Sequence, residues 1–117
     1  MENHTDPDLQ NIEQQGLHNF EEPYKCRITV LRKDFREDLY MQHPYGYAGP
    51  CGRLEPGQVF ISENRWDPPE GFCTWAWGDL RPMIQSIHAG HAVTMIACCT
   101  DGLRPVTFKL EQINSDT

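Results

Sequence analysis

Two segments in the C-terminal half of the chain hold the side chains best suited to chemistry. Residues 69–82 read PEGFCTWAWGDLRP, and residues 98–106 read CCTDGLRPV. Each segment places a thiol, a carboxylate and a guanidinium within a few residues, and the first adds two indoles. Such groups are costly to bring together unless they satisfy one another or meet a ligand. The two segments therefore predict a site, although their residue types do not specify a reaction.

The candidate catalytic residues in these segments are Cys73, Cys99 and Asp101. Cys73 precedes a helix-forming stretch, and the backbone N–H groups at a helix N-terminus favour the thiolate form of a cysteine. Packing against its aromatic neighbours is the alternative role for Cys73. Asp101 precedes Gly102, and Asp-Gly is a strong turn signal. Asp101 is therefore either a turn residue or an acid–base group beside Cys99.

The candidate substrate-binding residues are Trp75, Trp77, Arg81 and Arg104. The two tryptophans are two positions apart and must point in different directions in a strand or a helix. We therefore expect one indole in the core and the other at a pocket or over the sheet. Arg81 falls in the first turn of the predicted helix, where a cation opposes the helix dipole, and this position suggests a carboxylate partner or a ligand.

The cysteines allow a second kind of site. The chain has five cysteines and no C-x-x-C pair, so the fold would have to assemble a metal site from separate elements. Zinc or iron bound by Cys26, Cys51, Cys73 and Cys99 is one hypothesis, and packing as small hydrophobes is the other. His88 and His91 lie near the predicted helix C-terminus, where they are either caps or a weak ligand pair.

The acidic charge of the chain is concentrated at its N-terminus. The formal net charge is -7, and residues 1–22 contain six acids and no Lys or Arg, which leaves 11 acids and 10 bases in the remainder. We predict an acidic, disordered leader at 1–22 and a single domain at 23–117.

Several functional classes are excluded by what the sequence lacks. No basic cluster suits nucleic acid, no apolar run approaches the roughly 20 residues needed to cross a bilayer, and no signal peptide is recognisable. We therefore expect a cytosolic protein with reduced cysteines that binds neither nucleic acid nor membrane, and the oligomeric state stays open.

The hydrophobic pattern predicts strands separated by one helix. Alternation predicts a half-buried strand at 24–30, and shorter apolar runs predict strands at 58–62, 92–98 and 106–110. One or two helical turns are expected within 34–42. The resulting fold class is α+β, with a small antiparallel sheet, open or rolled, covered by one main helix.

The main helix has signals at both ends. Asp79 is a suitable N-cap, Pro82 would then lie in the first turn, and Gly90 suits the C′ position. Between these signals the apolar residues recur at i, i+3, i+4 and i+7, and this spacing gives one stripe that can pack on a sheet. The stripe consists of Leu80, Met83, Ile84 and Ile87.

Five stretches of the chain carry a family resemblance. They are YKCRITV at 24–30, GPC at 49–51, GQVF at 57–60, PEGFCxWAWxD at 69–79 and CTDGLRPVxFKL at 99–110. With these stretches the chain resembles a family of short proteins from bacteria, archaea and some fungi for which no activity is established. The resemblance implies a compact single domain whose pattern includes Cys26, Cys51, Cys73 and Cys99, with the acidic leader outside the pattern.

Three hypotheses about function follow from these observations. The first is a small enzyme or ligand-binding protein that acts on a small anionic or aromatic metabolite through the Cys, Asp, Arg and Trp residues above. It needs no organic cofactor, since no nucleotide-binding glycine pattern is present. The second is a domain that binds zinc or iron through four cysteines. The third is a non-catalytic accessory protein.

Overall fold

A computed structural model describes residues 22–115. Within this range the chain forms one open, four-stranded antiparallel sheet in the order β2-β1-β4-β3, with one main helix, α2. The elements in chain order are β1 Tyr24–Lys33, α1 Glu37–Gln42, β2 Val59–Ser62, α2 Thr74–His88, β3 Thr94–Cys98 and β4 Val106–Asn114. The α+β prediction is confirmed, and the sheet is open rather than closed. The predicted leader, apart from Glu22, lies outside the described residues.

The two central strands, β1 and β4, form the floor of the core. Alternate residues of β1 are buried, and so are alternate residues of β4, because a strand presents every second side chain to the same face. The strands are in antiparallel register, with Ile28 opposite Leu110 and Val30 opposite Phe108. The faces predicted by the alternation at 24–30 and 106–110 are therefore the faces that the structure buries.

Helix α2 begins six residues earlier than a cap at Asp79 would place it. Its N-cap is Cys73, so the prediction that Asp79 caps the helix is wrong, and Pro82 lies inside the helix instead of in its first turn. A proline there leaves the carbonyl of Gly78 without its usual N–H donor. The additional turn buries Trp77, whose large apolar side chain stabilises the longer helix.

The C-terminal end of α2 follows the predicted pattern. Gly90 adopts a φ of +86° directly after the C-cap Ala89. The N–H of Gly90 donates to the carbonyl of Ile87, and the N–H of His91 donates to the carbonyl of Ser86. These two bonds are those of a Schellman motif, which satisfies the last carbonyls of a helix.

The core lies between α2 and the β1–β4 face of the sheet. Loop residues extend it at the start of α2, where Phe72 packs against Phe60 and Phe108 with ring centres 5.0 and 5.7 Å apart. Leu54, from the long segment between α1 and β2, is also buried there. No helix within residues 22–115 is long and apolar enough to span a membrane.

A thiol-lined cavity at the start of helix α2

A cavity of about 260 Å³ lies where the start of α2 meets the loops before β2 and after β3. Its buried lining is apolar and consists of Leu54, Ala76, Val106 and Phe108. Its half-buried lining includes three thiols, those of Cys51, Cys73 and Cys99. Arg104 is also half-buried, and the exposed lining includes Arg53, Trp75 and Asp101. We call this space the thiol cavity.

The three thiols come from three separate parts of the chain. Cys73 is the N-cap residue of α2 and makes no side-chain capping hydrogen bond. Cys99 directly follows β3, and its sulfur accepts a hydrogen bond from the N–H of Val106 at 3.4 Å. The sulfur of Cys51 accepts one from the N–H of Arg53, also at 3.4 Å. The candidate nucleophiles Cys73 and Cys99 therefore line the same space, together with a third thiol.

Asp101 both shapes a turn and lines the thiol cavity. Its Oδ1 atom accepts hydrogen bonds from the N–H groups of Leu103 and Arg104, at 3.0 and 2.9 Å. These bonds form an Asx turn, the local structure that the Asp-Gly pair favours. The structure thus shows the turn role, and Asp101 also lines the cavity that contains the three thiols.

Arg104 carries the clearest sign of an unfilled interaction. Its Nη1 donates to the carbonyl of Tyr47 at 3.5 Å, and its guanidinium carbon lies 5.7 Å from the centre of the Tyr47 ring. Its Nε is buried and has no hydrogen-bond partner within residues 22–115. A buried donor without a partner costs about 1–3 kcal/mol. An acceptor supplied by a ligand would remove that cost.

A hydrogen-bond network fixes the position of Trp75. The indole Nε1 donates to Thr100 Oγ1 at 3.0 Å, and both the N–H and the hydroxyl of Thr100 contact the Asp79 carboxylate, at 2.8–3.1 Å. Asp79 therefore ties α2 to the loop after β3 instead of capping the helix. Trp75 lines the cavity while 67% exposed, whereas Trp77 is 7% exposed and belongs to the core.

Three of the candidate residues lie outside the thiol cavity's lining. Trp77 belongs to the core. Arg81 stacks on Trp66 with its guanidinium carbon 5.7 Å from the ring centre, and its Nε donates to the carbonyl of Arg65. Cys26 is fully buried on β1, and burial raises the pKa of its thiol to about 12.

The four-cysteine arrangement is not formed in the described part of the chain. Cys26 is separate from the three cavity thiols, and within residues 22–115 no group of three or more His, Cys, Asp or Glu side chains is placed to hold a metal ion. The fifth cysteine, Cys98, is exposed.

Sequence reasoning missed a buried polar pair at the other end of α2. His88 and Ser62 are both fully buried, and His88 Nε2 lies 2.8 Å from Ser62 Oγ. His88 Nδ1 lies 2.8 Å from the carbonyl of Tyr24, and since a carbonyl only accepts, Nδ1 carries the proton. Burial lowers the pKa of His88 and so favours the neutral imidazole. Ser62 Oγ also lies 3.0 Å from the carbonyl of Asn64, so its single proton serves only one of these two neighbours at a time.

This pair resembles part of a hydrolase triad, but it has no access to a substrate. The Glu22 carboxylate lies 3.6 Å from His88 Nδ1 and forms an ion pair with Arg65. All three side chains of the Ser62–His88–Glu22 group are buried, and a nucleophilic hydroxyl must reach its substrate to act. The group therefore stabilises the fold. The sequence feature that could have predicted the burial of His88 is its i, i+4 spacing from Ile84 and Leu80, which places all three on the same face of the helix.

Comparisons with known proteins identified no relative of this chain. No family model, no curated protein and no solved structure matches the chain. The resemblance carried by the motifs at 69–79 and 99–110 stays an expectation from sequence, and the functional argument rests on the geometry of the thiol cavity.

Proposed function

We propose that the protein binds a small anionic molecule in the thiol cavity and acts on it through Cys73 or Cys99, without an organic cofactor. The observation that carries this proposal is that Arg104 lines a cavity together with three thiols, while its buried Nε has no hydrogen-bond partner within residues 22–115. A guanidinium binds carboxylate and phosphate oxygens through paired N–H donors. An anionic group held by the Arg104 guanidinium would bring the rest of the molecule to the sulfur atoms.

The shape and lining of the cavity favour a small, partly apolar molecule. A volume of about 260 Å³ is at the lower end of the range for small-molecule sites. The apolar floor suits a hydrocarbon portion, and the arginines Arg53 and Arg104 suit the charged end. A thiolate is a strong nucleophile, and in this proposal Asp101 exchanges a proton with the bound molecule.

The cellular setting belongs to the same proposal. Cysteines stay reduced in the cytosol, and the proposed chemistry uses free thiols, so we place the protein there. The proposed partner is a small molecule, with no role for nucleic acid or a membrane surface.

Alkylation with two matched reagents tests the proposal. Iodoacetate and iodoacetamide both transfer a two-carbon group to a thiolate sulfur, which forms a C–S bond and releases iodide. They differ in that only iodoacetate is anionic. The ratio of the two alkylation rates at each cysteine, measured by peptide mass spectrometry, reports how far the site favours an anion. Cys98 is exposed and outside the cavity lining, so it serves as the internal reference.

We expect Cys73 and Cys99 to favour iodoacetate about fivefold over the ratio at Cys98, which corresponds to a charge–charge attraction of about 1 kcal/mol. Arg104→Gln should remove the preference. Arg32→Gln is the matched control, because Arg32 is exposed and pairs with Asp34. Equal ratios at all three cysteines in the wild-type protein would contradict the proposal.

A further inference from the structure

A second cavity adjoins the thiol cavity and has a different lining. It has a volume of about 460 Å³ and is formed by Tyr45, Tyr47, Trp75 and the loop at 100–104. We call it the aromatic groove. Trp75, Asp101 and Arg104 line both spaces. The groove and the thiol cavity are therefore neighbours that share three lining residues, Arg104 among them.

The aromatic groove presents three large rings to solvent. Tyr45, Tyr47 and Trp75 are 81%, 79% and 67% exposed. Side chains of this size usually bury most of their surface, and a cluster of exposed rings marks a binding surface more often than an isolated one does. Gly46, with a φ of +72°, supplies the backbone turn between the two tyrosines.

Two of the three rings are held in place by contacts that leave the groove open. The indole of Trp75 is fixed by its bond to Thr100. The ring of Tyr47 lies against the guanidinium of Arg104, a contact that restrains both groups. The rings are thus pre-organised, which lowers the entropy that a ligand must lose on binding.

We propose that the ligand is an aromatic anion, with its ring in the aromatic groove and its anionic group at Arg104. This inference rests on the proposed function and specifies its substrate class. A flat ring gains offset-stacked or edge-to-face contacts with Tyr45, Tyr47 or Trp75 that a saturated ring of the same size does not gain. Arg104 lines the aromatic groove together with the three rings, so one molecule can contact both the rings and the guanidinium.

Three related probes separate the parts of the proposal. Phenylacetate has an aromatic ring and a charge, cyclohexylacetate has the charge with a saturated ring, and phenylacetamide has the aromatic ring without the charge. The dissociation constant of each is measured on the full chain by isothermal titration calorimetry. The location of binding is measured separately, as protection of Cys73 and Cys99 from alkylation by iodoacetamide relative to Cys98.

We expect phenylacetate to bind about fivefold more tightly than cyclohexylacetate, which is the ratio that about 1 kcal/mol of aromatic contact gives. Phenylacetamide should bind at least fivefold more weakly than phenylacetate, because it lacks the charge. Tyr45→Leu and Tyr47→Leu should remove the aromatic preference, while Tyr45→Phe and Tyr47→Phe should keep it. Both tyrosine side chains are exposed, so these variants test binding without disturbing the core.

The possible failures identify which proposal is at fault. Equal binding of phenylacetate and cyclohexylacetate would overturn the aromatic inference and leave the proposed function intact. Equal binding of phenylacetate and phenylacetamide would overturn the assignment of the anion to Arg104. No binding by any probe would also overturn the inference, and the iodoacetate ratio at Cys73 and Cys99 would then decide the proposed function independently.

Discussion

The two ends of helix α2 use polar groups in opposite ways. At the C-terminal end His88 and Ser62 are fully buried, and each contacts a hydrogen-bond partner. At the N-terminal end, within the described range 22–115, Cys73 makes no capping bond and the buried Nε of Arg104 has no partner. We call the packed C-terminal end, around His88 and Ser62, the closed end of α2. We call the N-terminal end, where Cys73 lines the thiol cavity, the open end.

This difference separates stability from function. Buried polar groups that are fully paired stabilise one conformation, because removing either partner leaves the other unsatisfied. Unpaired groups beside a cavity cost stability and are retained where a ligand completes them. We therefore expect mutations at the closed end to reduce the free energy of unfolding and mutations at the open end to change ligand binding.

The largest effect should come from His88→Ala. It creates a cavity, removes the donor to the carbonyl of Tyr24 and leaves Ser62 Oγ with its bond to Asn64 alone. We therefore expect a loss of about 3 kcal/mol in the free energy of unfolding. Urea denaturation followed by circular dichroism measures this loss. Ser62→Ala removes only one hydroxyl and should cost about 1 kcal/mol. A loss below 1 kcal/mol for His88→Ala would show that the closed end does not stabilise the fold.

A smaller loss is expected from Gly90→Ala, also at the closed end. The φ of Gly90 is +86°, and an added Cβ would lie 3.0 Å from the Tyr24 ring. An L residue there is strained, so we expect a loss of about 1–2 kcal/mol. Gly57→Ala is the control, because Gly57 also has a positive φ, of +92°, and no atom lies near its added Cβ. Equal losses in the two variants would show that strain alone, without the Tyr24 contact, sets the effect.

Acid should weaken the closed end further. Burial holds the pKa of His88 below its ordinary value of 6.5, so the unfolded chain takes up a proton first as the pH falls. Stability should then decrease between 6.5 and the lower pKa of the folded state, and should be fully present above 6.5. Glu22 and Glu63 oppose this decrease by favouring the imidazolium, while Arg65 adds to it.

The free energy of unfolding should be measured between pH 7.5 and 5.5. This range lies above 4.5, the ordinary pKa of a carboxylate such as that of Glu111, so carboxylates contribute little to the change. His88→Gln retains a polar side chain that does not titrate there, so its stability should depend less on pH. A wild-type protein whose stability is unchanged or rises over this acid range would contradict the assignment of a neutral His88.

The sheet and the C-terminal end of α2 were largely predictable from the sequence, because the patterns that indicate them are local. Alternation along β1 and β4 predicted which side chains face the core, and Gly90 marked the end of α2. The start of α2 was mispredicted for the same reason. Asp79 and Pro82 have the local character of a helix beginning, and only the packing of Trp77 in the core shows that the helix continues past them.

The site was only partly predictable because its members are distant in sequence. Residue types in two motifs indicated Cys73, Cys99, Asp101 and Arg104 as candidates, and all four line one cavity. Nothing in the spacing predicted that the loop at 45–54 would add Tyr45, Tyr47 and a third thiol, since that loop has no periodic pattern. The Ser62–His88 pair was unpredictable for the same reason, as it depends on how α2 lies on β1 and β2.

The smallest change in stability should come from the open end, with Cys73→Ala. The thiol is half-buried beside an existing cavity and forms no capping bond, so we expect a loss below about 1 kcal/mol in urea denaturation. Alkylation of Cys99 should keep its preference for iodoacetate, because Arg104 is unchanged. A loss above about 2 kcal/mol would mean that Cys73 acts as a structural cap. The open end would then share the stabilising role of the closed one, and the contrast between the two ends of α2 would fail.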